Sequence, residues 1–366
     1  MIKASSAVLV GMLAALTACG QSGSPSSDPT PVTVAPTSAV APTTAPQVSV
    51  APTPAPPVTL DLGSSTTSTA TTALSHASSI AALLKLDRPL VIAHTGGEDE
   101  YPGSTMFAFA ESVKAGADML DLNVLLSADG VLVIQHDETV NRTSNGSGDV
   151  ASMTAAQLGA LDNAYWFTAE GITTDAPPPS YLYRGIRTGE VPPPAGYTAD
   201  DFAIPTLDAL IDRFPGVPLG IEIKGSGEPA LRAADVLLTT LRDRNLLANT
   251  VISSFDDATI EYLHQQEPAA ILSPALKAMS AWVLDNTPLP NGMKILQLPP
   301  VYGSVEVITP ELIKRSHDAG YVIWVWPNDR QLETADAYRD FIAAGIDGLN
   351  INFPTAAVAV VSSMSG

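Results

Sequence analysis

The chain has 366 residues, 45% of them hydrophobic, and a barrel of about 250 residues would fit into it as a single domain. It carries 18 basic and 38 acidic residues, which gives a formal net charge of −20 at pH 7. A field of this sign repels polyanions and argues against nucleic acid as a partner, so an anionic substrate must be attracted by local charge, such as a bound cation or a lysine.

The amino terminus has the features of an export signal. Lys3 precedes an apolar stretch from Ala7 to about Leu16, which is too short to span a bilayer. The stretch ends at a segment similar to a bacterial lipobox, in which Cys19 is the only cysteine of the chain. We expect residues 1–18 to be a signal peptide and Cys19 to be lipidated, which makes the protein an exported one, anchored to the membrane of the bacterial cell envelope. The alternative is an ordinary secretory signal that contains a cysteine by chance.

Residues 19–79 have a different composition from the rest of the chain. They are rich in Pro, Thr, Ser and Ala, they lack aromatic residues, and Asp28 and Asp61 are their only formally charged residues. Such a segment cannot bury enough apolar surface to offset the entropy cost of ordering. We predict a disordered, proline-stiffened tether that holds the folded domain away from the membrane.

Over residues 80–366, short apolar runs alternate with amphipathic segments, which is typical of β/α units and a parallel sheet. The predicted strands are Leu90–Ala93, Met119–Val124, Val131–Gln135, Leu219–Ile223, Val251–Ser253, Ile271–Leu272, Ile295–Leu298, Val322–Trp326 and Gly348–Ile351. The predicted helices are Thr105–Ala115, Pro229–Arg244, Ala258–Gln266, Pro310–Ala319 and Gln331–Ala344. Nine strands are one too many for a barrel of eight, and the short link from Val124 to Val131 indicates an irregular corner. The pattern therefore predicts an α/β fold, an irregular (β/α)8 TIM-type barrel.

An insertion over about residues 163–204 follows the third predicted strand. It is rich in Pro and Gly and contains several aromatic residues together with Arg184 and Arg187. A loop this long inside a compact domain is usually functional. We expect it to lie over the mouth of the barrel, at the carboxyl ends of the strands, where such folds place their sites.

Polar residues at strand ends are the candidates for chemistry. His94 and His136 each follow a predicted strand, and two further strands carry polar residues at alternating positions that face the same way, Asp121 with Asn123 and Glu222 with Lys224. Unpaired polar groups are costly to bury in strands. If these strand ends converge at the mouth, the side chains can satisfy one another through a cation.

Each of these features has a structural alternative. A strand-end histidine is often only a hydrogen-bonded structural residue, Asp121 with Asn123 could cap a turn, and Glu222 with Lys224 could be a plain ion pair. Because four neighbouring strands carry such groups together, the functional interpretation is favoured.

The order and spacing of many short motifs resemble those of the glycerophosphodiester phosphodiesterase family. The resemblance covers about Leu90 to Pro354 and rests on these segments: Val91-Ile92-Ala93-His94, Pro102-Gly103-Ser104-Thr105, Asp121-Leu122-Asn123, Val133-Ile134-Gln135-His136-Asp137, Asn141-Arg142-Thr143, Glu222-Ile223-Lys224, Ser253-Ser254-Phe255-Asp256 and Gly345-Ile346-Asp347-Gly348.

The resemblance implies roles for the candidate residues. His94 and His136 would act as general acid and base on a phosphodiester, and Asp121, Asn123 and Glu222 would hold a divalent cation. Lys224 would place a positive charge near the phosphate. Trp324 and Trp326 share one face of their strand and would stack on a glycerol or head group, although such residues are equally often ordinary core.

Several positions depart from the family's pattern. Thr95 stands where the family has Arg, Gly103 where it has Glu, Asn123 where it has Asp, and Asn352 where it has Asp. These changes weaken the cation site, which then favours calcium over magnesium because calcium tolerates carbonyl oxygens. Glu98, Asp99 or Glu100 could supply a missing carboxylate, and Arg184 or Arg187 a missing guanidinium.

The first hypothesis is thus a phosphoric diester hydrolase that cleaves glycerophosphodiesters or related lipid head groups in lipid metabolism. The second is a catalytically weak or inactive barrel that binds phosphodiesters at the cell envelope. A third is a related phospholipase that uses an internal hydroxyl of its substrate and releases a cyclic phosphate.

Overall fold

A computed structural model describes residues 79–290 and 292–365. Cys19, the predicted signal peptide and most of the predicted tether lie outside these residues. No helix among the described residues is long and apolar enough to cross a membrane.

The main sheet consists of eight parallel strands and one antiparallel strand. The parallel strands are β1 (Leu90–Ala93), β2 (Met119–Leu126), β6 (Leu219–Ile223), β7 (Thr250–Ser253), β8 (Ile271–Leu272), β9 (Ile295–Leu298), β12 (Val322–Val325) and β13 (Gly348–Ile351), paired in the order β8-β7-β6-β2-β1-β13-β12-β9. The remaining strand, β3 (Leu132–Ile134), pairs only with β2. Short antiparallel ladders join β4 (Phe167–Thr168) to β5 (Gly171–Ile172) and β10 (Val301–Tyr302) to β11 (Val305–Glu306).

Eight β/α strands thus form a nearly closed barrel, and the prediction of a TIM-type barrel is confirmed. The two ends of the strand order approach each other, since the Ser273 hydroxyl after β8 donates to the Ile295 carbonyl of β9 at 3.1 Å. The sequences of the strands are short apolar runs because both faces of a parallel barrel strand are buried. In β1 and in β13, for example, all four residues are buried.

Helices surround the sheet. They are α1 (Ile80–Leu83), α2 (Met106–Ala115), α3 (Ala155–Leu158), α4 (Leu207–Arg213), α5 (Gly227–Asp243), α6 (Asp257–Gln266), α7 (Leu276–Asp285), α8 (Pro310–Asp318), α9 (Ala335–Ala344) and α10 (Pro354–Met364). Thr105 caps α2 by accepting from the Ala108 N–H, and α2 ends at Gly116 in the left-handed region. In α5, the buried residues repeat at helical spacing, from Ala230 through Ala234 to Leu241, so this helix packs one apolar face on the sheet.

The barrel interior contains its own core at the amino-terminal end. Leu90, Met119 and Ile295 are the first residues of their strands, and they form one buried cluster with Ile80 and Leu83 of α1. The helix α1 therefore closes this end of the barrel, and the opposite end, where the strands finish, is left for a site.

The irregular corner lies where the sequence predicts it. The extra strand is β3, which runs antiparallel to the end of β2, with Val124 opposite Ile134. Ser127 and Gly130 lie in the tight turn between the two strands. The chain therefore leaves the barrel along β2 and returns along β3 to the mouth.

Candidate active site

Two imidazole rings meet at the mouth of the barrel. His94 directly follows β1, and His136 follows β3 two residues after its end. Their ring centroids are 6.4 Å apart and their planes are nearly perpendicular. Since Gln135 N–H donates to the Asn123 carbonyl at 3.1 Å, the returning strand places His136 at the level of the polar residues of β2. His136 therefore reaches the barrel mouth from the antiparallel hairpin of β2 and β3, and not from the end of a parallel barrel strand.

His94 lies among negative charges. Its Nδ1 is 2.7 Å from Asn352 Oδ1 and 3.8 Å from the Glu98 carboxylate. Burial lowers the pKa of His94, but the charges of Glu98, Asp121 and Glu333 and the hydrogen bond with Asn352 together raise it by more, so the net pKa is higher than that of a free histidine. The imidazolium form of His94 is therefore stabilised by its surroundings.

His136 is oriented by an ionised carboxylate. Its Nδ1 lies 2.7 Å from Asp137 Oδ1, and Arg142 Nε donates to the other oxygen of Asp137 at 2.7 Å. Burial raises the pKa of Asp137, but the hydrogen bonds from His136 and Arg142 lower it by more, to well below its usual range. On the other side of the ring, Nε2 is 3.3 Å from Lys224 Nζ. The ring of His136 is thus fixed, with Nε2 directed at the positive side chain.

The predicted cation ligands converge. Asp121 and Asn123 lie on β2, and Asn123 is the register partner of Glu222 on the adjacent strand β6. Burial and the nearby charge of Glu222 raise the pKa of Asp121 to about 6. Glu222 also pairs with Lys224 at 3.1 Å.

The chemistry of these side chains suits a divalent cation. Two carboxylates and an amide oxygen are hard oxygen donors, and a cation would offset the cost of burying the Asp121 carboxylate. The amide nitrogen of Asn123 has no hydrogen-bond acceptor within the part of the chain that the structure describes, so no such bond holds the amide in one orientation. The same part of the chain contains no cluster of three or more His, Cys, Asp or Glu side chains that could hold a metal ion; the set at the barrel mouth has two carboxylates, and its third member is the amide of Asn123.

The two predicted tryptophans have different environments. Trp324 is only 1% exposed and packs in the interior core with Leu90 and Met119. The expectation that Trp324 stacks on a substrate is therefore wrong. Trp324 faces the interior of the barrel, but it packs in the core at the amino-terminal end, which α1 closes, and not at the mouth. Trp326, one residue beyond β12, is half-buried and lies edge to face with Phe255 at 6.4 Å.

The two arginines of the insertion serve its own packing. The guanidinium of Arg184 lies over the rings of Tyr165, Trp166 and Tyr181, at 4.1, 4.5 and 3.5 Å from their centroids. Arg187 donates to the Gly159 carbonyl and pairs with Asp200. These contacts correct the prediction that Arg184 or Arg187 supplies a substrate contact. The guanidinium beside the histidines belongs to Arg142.

Sequence reasoning left open which acidic residue replaces the one missing at position 103. A Cβ atom on Gly103 would lie 2.6 Å from Glu98 Cβ, so Glu98 occupies the space that a side chain at position 103 would need. Burial raises the pKa of Glu98, but His94, Arg142 and His136 lower it by more. Glu98 is therefore an ionised carboxylate close to both histidines. The acidic run Glu98-Asp99-Glu100, which begins four residues after His94, is the signal for it in the sequence.

Phe255 and Glu333 are further residues of the site that sequence reasoning did not select. Phe255 is 42% exposed, an unusual exposure for a phenylalanine, and Lys224 Nζ lies 6.0 Å from its ring. Glu333 is buried next to the last strand and accepts hydrogen bonds from the Tyr338 hydroxyl and the Asn352 N–H.

The buried Glu333 makes stability depend on pH. Burial raises its pKa to about 7 from the ordinary 4.5, so its contribution to stability is fully present below pH 4.5 and is lost as the pH rises through 7. The free energy of unfolding is therefore lower at pH 8 than at pH 4.5 by roughly 3 kcal/mol from this group.

We expect Glu333→Gln, which mimics the protonated form, to have a higher melting temperature than wild type at pH 8. The melting temperature of this variant should also fall less than that of wild type between pH 5 and pH 8. The melts are measured with chelator present. Asp336→Asn, at a 93% exposed side chain on α9, is the control and should change neither. Identical pH profiles for Glu333→Gln and wild type would contradict this assignment.

Comparison with known proteins agrees with this geometry. The profile of the glycerophosphoryl diester phosphodiesterase family matches residues 94–356. A glycerophosphodiester phosphodiesterase of Caldanaerobacter subterraneus is 26% identical over 279 residues, which are 75% of this chain and 98% of that protein.

Solved structures show the same fold. A glycerophosphoryl diester phosphodiesterase from Parabacteroides distasonis is 22% identical with a TM-score of 0.58, covering 79% of this chain and 93% of its own. An Oleispira antarctica phosphodiesterase, solved in complex with the product sn-glycerol-3-phosphate, is 19% identical with a TM-score of 0.57, covering 75% of this chain and 97% of its own. The family match spans most of the described residues and includes both histidines. The chain therefore belongs to the glycerophosphoryl diester phosphodiesterase family and is a phosphodiesterase-like hydrolase.

Proposed function

We propose that this hydrolase cleaves glycerophosphodiesters or related lipid head groups with His94 and His136 as its acid and base pair, in lipid metabolism. The observation that carries the proposal is the pair of rings 6.4 Å apart at the barrel mouth. In each ring, Nδ1 lies 2.7 Å from a side-chain oxygen, so the reacting groups would meet the rings at Nε2, and Nε2 of His136 also lies 3.3 Å from Lys224 Nζ. One imidazole would take a proton from the attacking water as its oxygen bonds to phosphorus, and the other would give a proton to the alkoxide that leaves as the P–O ester bond breaks.

Asp121, Asn123 and Glu222 would hold the divalent cation that the family generally uses. When bound, the cation neutralises the phosphoryl oxygens of the substrate. We propose calcium in preference to magnesium, because an amide oxygen and two carboxylates on separate strands suit flexible coordination better than strict octahedral geometry.

Lys224 and Trp326 are the substrate-binding residues that the geometry supports. The ammonium group of Lys224 lies between Glu222 and His136, where it would contact a phosphoryl oxygen as a point charge. Phe255 and Trp326 form an aromatic pair beyond it, suited to the glycerol or the head group. The sn-glycerol-3-phosphate bound to the Oleispira antarctica protein supports a small phosphodiester as substrate.

A second candidate function follows from the altered positions. With Asn123, Thr95 and Gly103 in place of charged residues, the barrel would bind phosphodiesters at the envelope with weak turnover or none. Phosphorus NMR of glycerophosphocholine incubated with protein and calcium distinguishes the candidates. Glycerol phosphate as the product supports the hydrolase, a cyclic phosphate supports the related phospholipase, and a bound but intact diester supports the binding barrel.

We further propose that the protein is exported and anchored by a lipid on Cys19. Cys19→Ser should leave the protein unprocessed or released, because no other cysteine is available for lipidation. The measurement is partitioning into the detergent phase of Triton X-114. Wild type is expected in the detergent phase at its mature size, and the variant either in the aqueous phase or at the larger size of the precursor. Equal partitioning and equal size of the two would remove the anchor from this account.

A further inference from the structure

The loop after His94 contains a second acidic residue whose contacts the catalytic proposal does not use. Asp99 is 15% exposed, and its Oδ2 accepts from Asn352 Nδ2 at 2.8 Å. Burial raises the pKa of Asp99, which is the cost of placing a carboxylate here. Asn352 directly follows the last barrel strand β13, and its Oδ1 is the partner of His94 at 2.7 Å. Asp99, Asn352 and His94 therefore form a continuous series of hydrogen bonds.

The middle member of this series has only one favourable orientation. If the amide of Asn352 were turned over, its oxygen would face the Asp99 carboxylate at hydrogen-bond distance and neither group could donate. With Nδ2 directed at Asp99, Oδ1 faces His94 and can only accept. The nitrogen that lies against it must then carry a proton, so the neutral form of His94 is protonated on Nδ1 and has its lone pair on Nε2. Glu98, at 3.8 Å from Nδ1, is too far to replace this bond.

Asp99 is itself held in place. Arg330 pairs with it at 3.4 Å and also donates to the Glu170 carbonyl in the hairpin of β4 and β5. A Cβ atom on Gly171, which has φ +100°, would lie 3.0 Å from Asp99 Oδ1 and 2.5 Å from the Arg330 guanidinium. The glycine therefore lets the backbone of the insertion cover the ion pair at close range.

We propose that Asp99 is a positioning residue that sets the tautomer of His94 through the amide of Asn352. A carboxylate directly beside the imidazole would fix this tautomer in any orientation, whereas an asparagine does so only when a second group fixes its amide. Asp99 is that group, and the insertion keeps it in place. The claim for the reaction rests on the proposed function, but the tautomer is a property of the folded protein whether or not it turns over a substrate.

The test combines a spectroscopic and a kinetic measurement on three variants of the full chain. In Asp99→Ala nothing fixes the amide of Asn352, and we expect nitrogen-15 NMR at pH 8.5 to show the His94 proton shared between Nδ1 and Nε2, whereas wild type shows it on Nδ1. We expect kcat for glycerophosphocholine to fall roughly tenfold or more, since a misplaced proton on a catalytic imidazole has cost far more in other enzymes, and KM to stay within about twofold.

The double variant Asp99→Ala/Asn352→Asp is the decisive one. An aspartate at position 352 accepts from Nδ1–H in either orientation, so the tautomer should return and kcat should recover to within about threefold of wild type. A merely structural role for Asp99 would give no such recovery. Glu170→Ala is the control, because Glu170 contacts Arg330 only through its backbone carbonyl, and it should behave as wild type.

The outcomes separate this inference from the proposed function. An unchanged tautomer in Asp99→Ala, or a double variant as slow as the single one, overturns the role of Asp99. If wild type hydrolyses no diester, the kinetic measurement is lost and the NMR comparison still decides. Should Asp99→Ala fail to fold by its melting curve, Asp99→Ser removes the same carboxylate and takes its place.

Discussion

Replacing either histidine of the pair should lower kcat by on the order of a hundredfold or more, because a positioned acid or base contributes about that much to a proton transfer. The variants are His94→Ala and His136→Ala, assayed on glycerophosphocholine with calcium. The double variant should lose much less than the product of the two single losses, since the two groups act in one proton-transfer sequence. Melting temperatures should change little, because both side chains are partly exposed at the mouth of the barrel.

His264→Ala is the matched control for the histidine variants. This residue is exposed on α6, away from the strand ends, and its replacement should leave kcat unchanged. His317 is a less suitable control, because it contacts Asp347 at 2.9 Å and the same carboxylate accepts from the Ile323 N–H. His317→Ala should therefore change stability more than rate. Full activity in either site variant would refute the acid and base assignment.

Replacing Glu222 should abolish the response of the protein to calcium. A cation that binds only the folded state stabilises it by about 2.7 kcal/mol at a concentration one hundred times its Kd, which raises the melting temperature by roughly 5–10 °C for a domain of this size. We expect calcium to raise the melting temperature of wild type more than magnesium does, and Glu222→Gln to remove the difference. The same variant should lose on the order of a hundredfold in kcat, since Lys224 alone is then left to offset the charge on the phosphoryl oxygens.

The control for this experiment is Glu228→Gln, at an 80% exposed side chain in the first turn of α5. It should keep the full calcium response. A wild-type melt that is indifferent to millimolar calcium and to chelator would argue against the cation site and in favour of a barrel that only binds.

The barrel could be predicted from the sequence because a parallel strand buried on both faces is a short, continuous apolar run. All nine predicted strands form, and the surplus strand is β3, at the corner where the link between strands is too short for a helix. The pattern does not reveal that β3 runs antiparallel and lies off the barrel. The helices α1, α3, α4, α7 and α10 were not predicted. Of these, α10 is a run of Ala and Val without polar periodicity, and its helical structure depends on packing against the sheet and α9.

The central residues of the site could also be predicted, since polar groups at the ends of parallel strands must meet at one end of a barrel. His94, Asp121, Asn123, Glu222 and Lys224 lie there for this reason. Trp324 does not lie at the mouth. The alternation of side chains along a strand shows that Trp324 faces the interior, but it does not show how far along the barrel axis the side chain lies. The contact of Asp99 with Asn352 joins the loop after β1 to the residue that follows β13, and no local pattern in the sequence indicates it. Glu98 and Gly103 lie in one loop, where the acidic run of residues 98–100 is the sequence signal for a carboxylate.

The most direct test of the account is to count turnovers of glycerophosphocholine by the purified protein with calcium. We predict many molecules of choline released per molecule of protein, a rate that chelator suppresses and added calcium restores, and a loss of at least a hundredfold in His136→Ala. A wild-type protein that binds the diester yet releases no choline with calcium, magnesium or any other divalent cation would contradict the account.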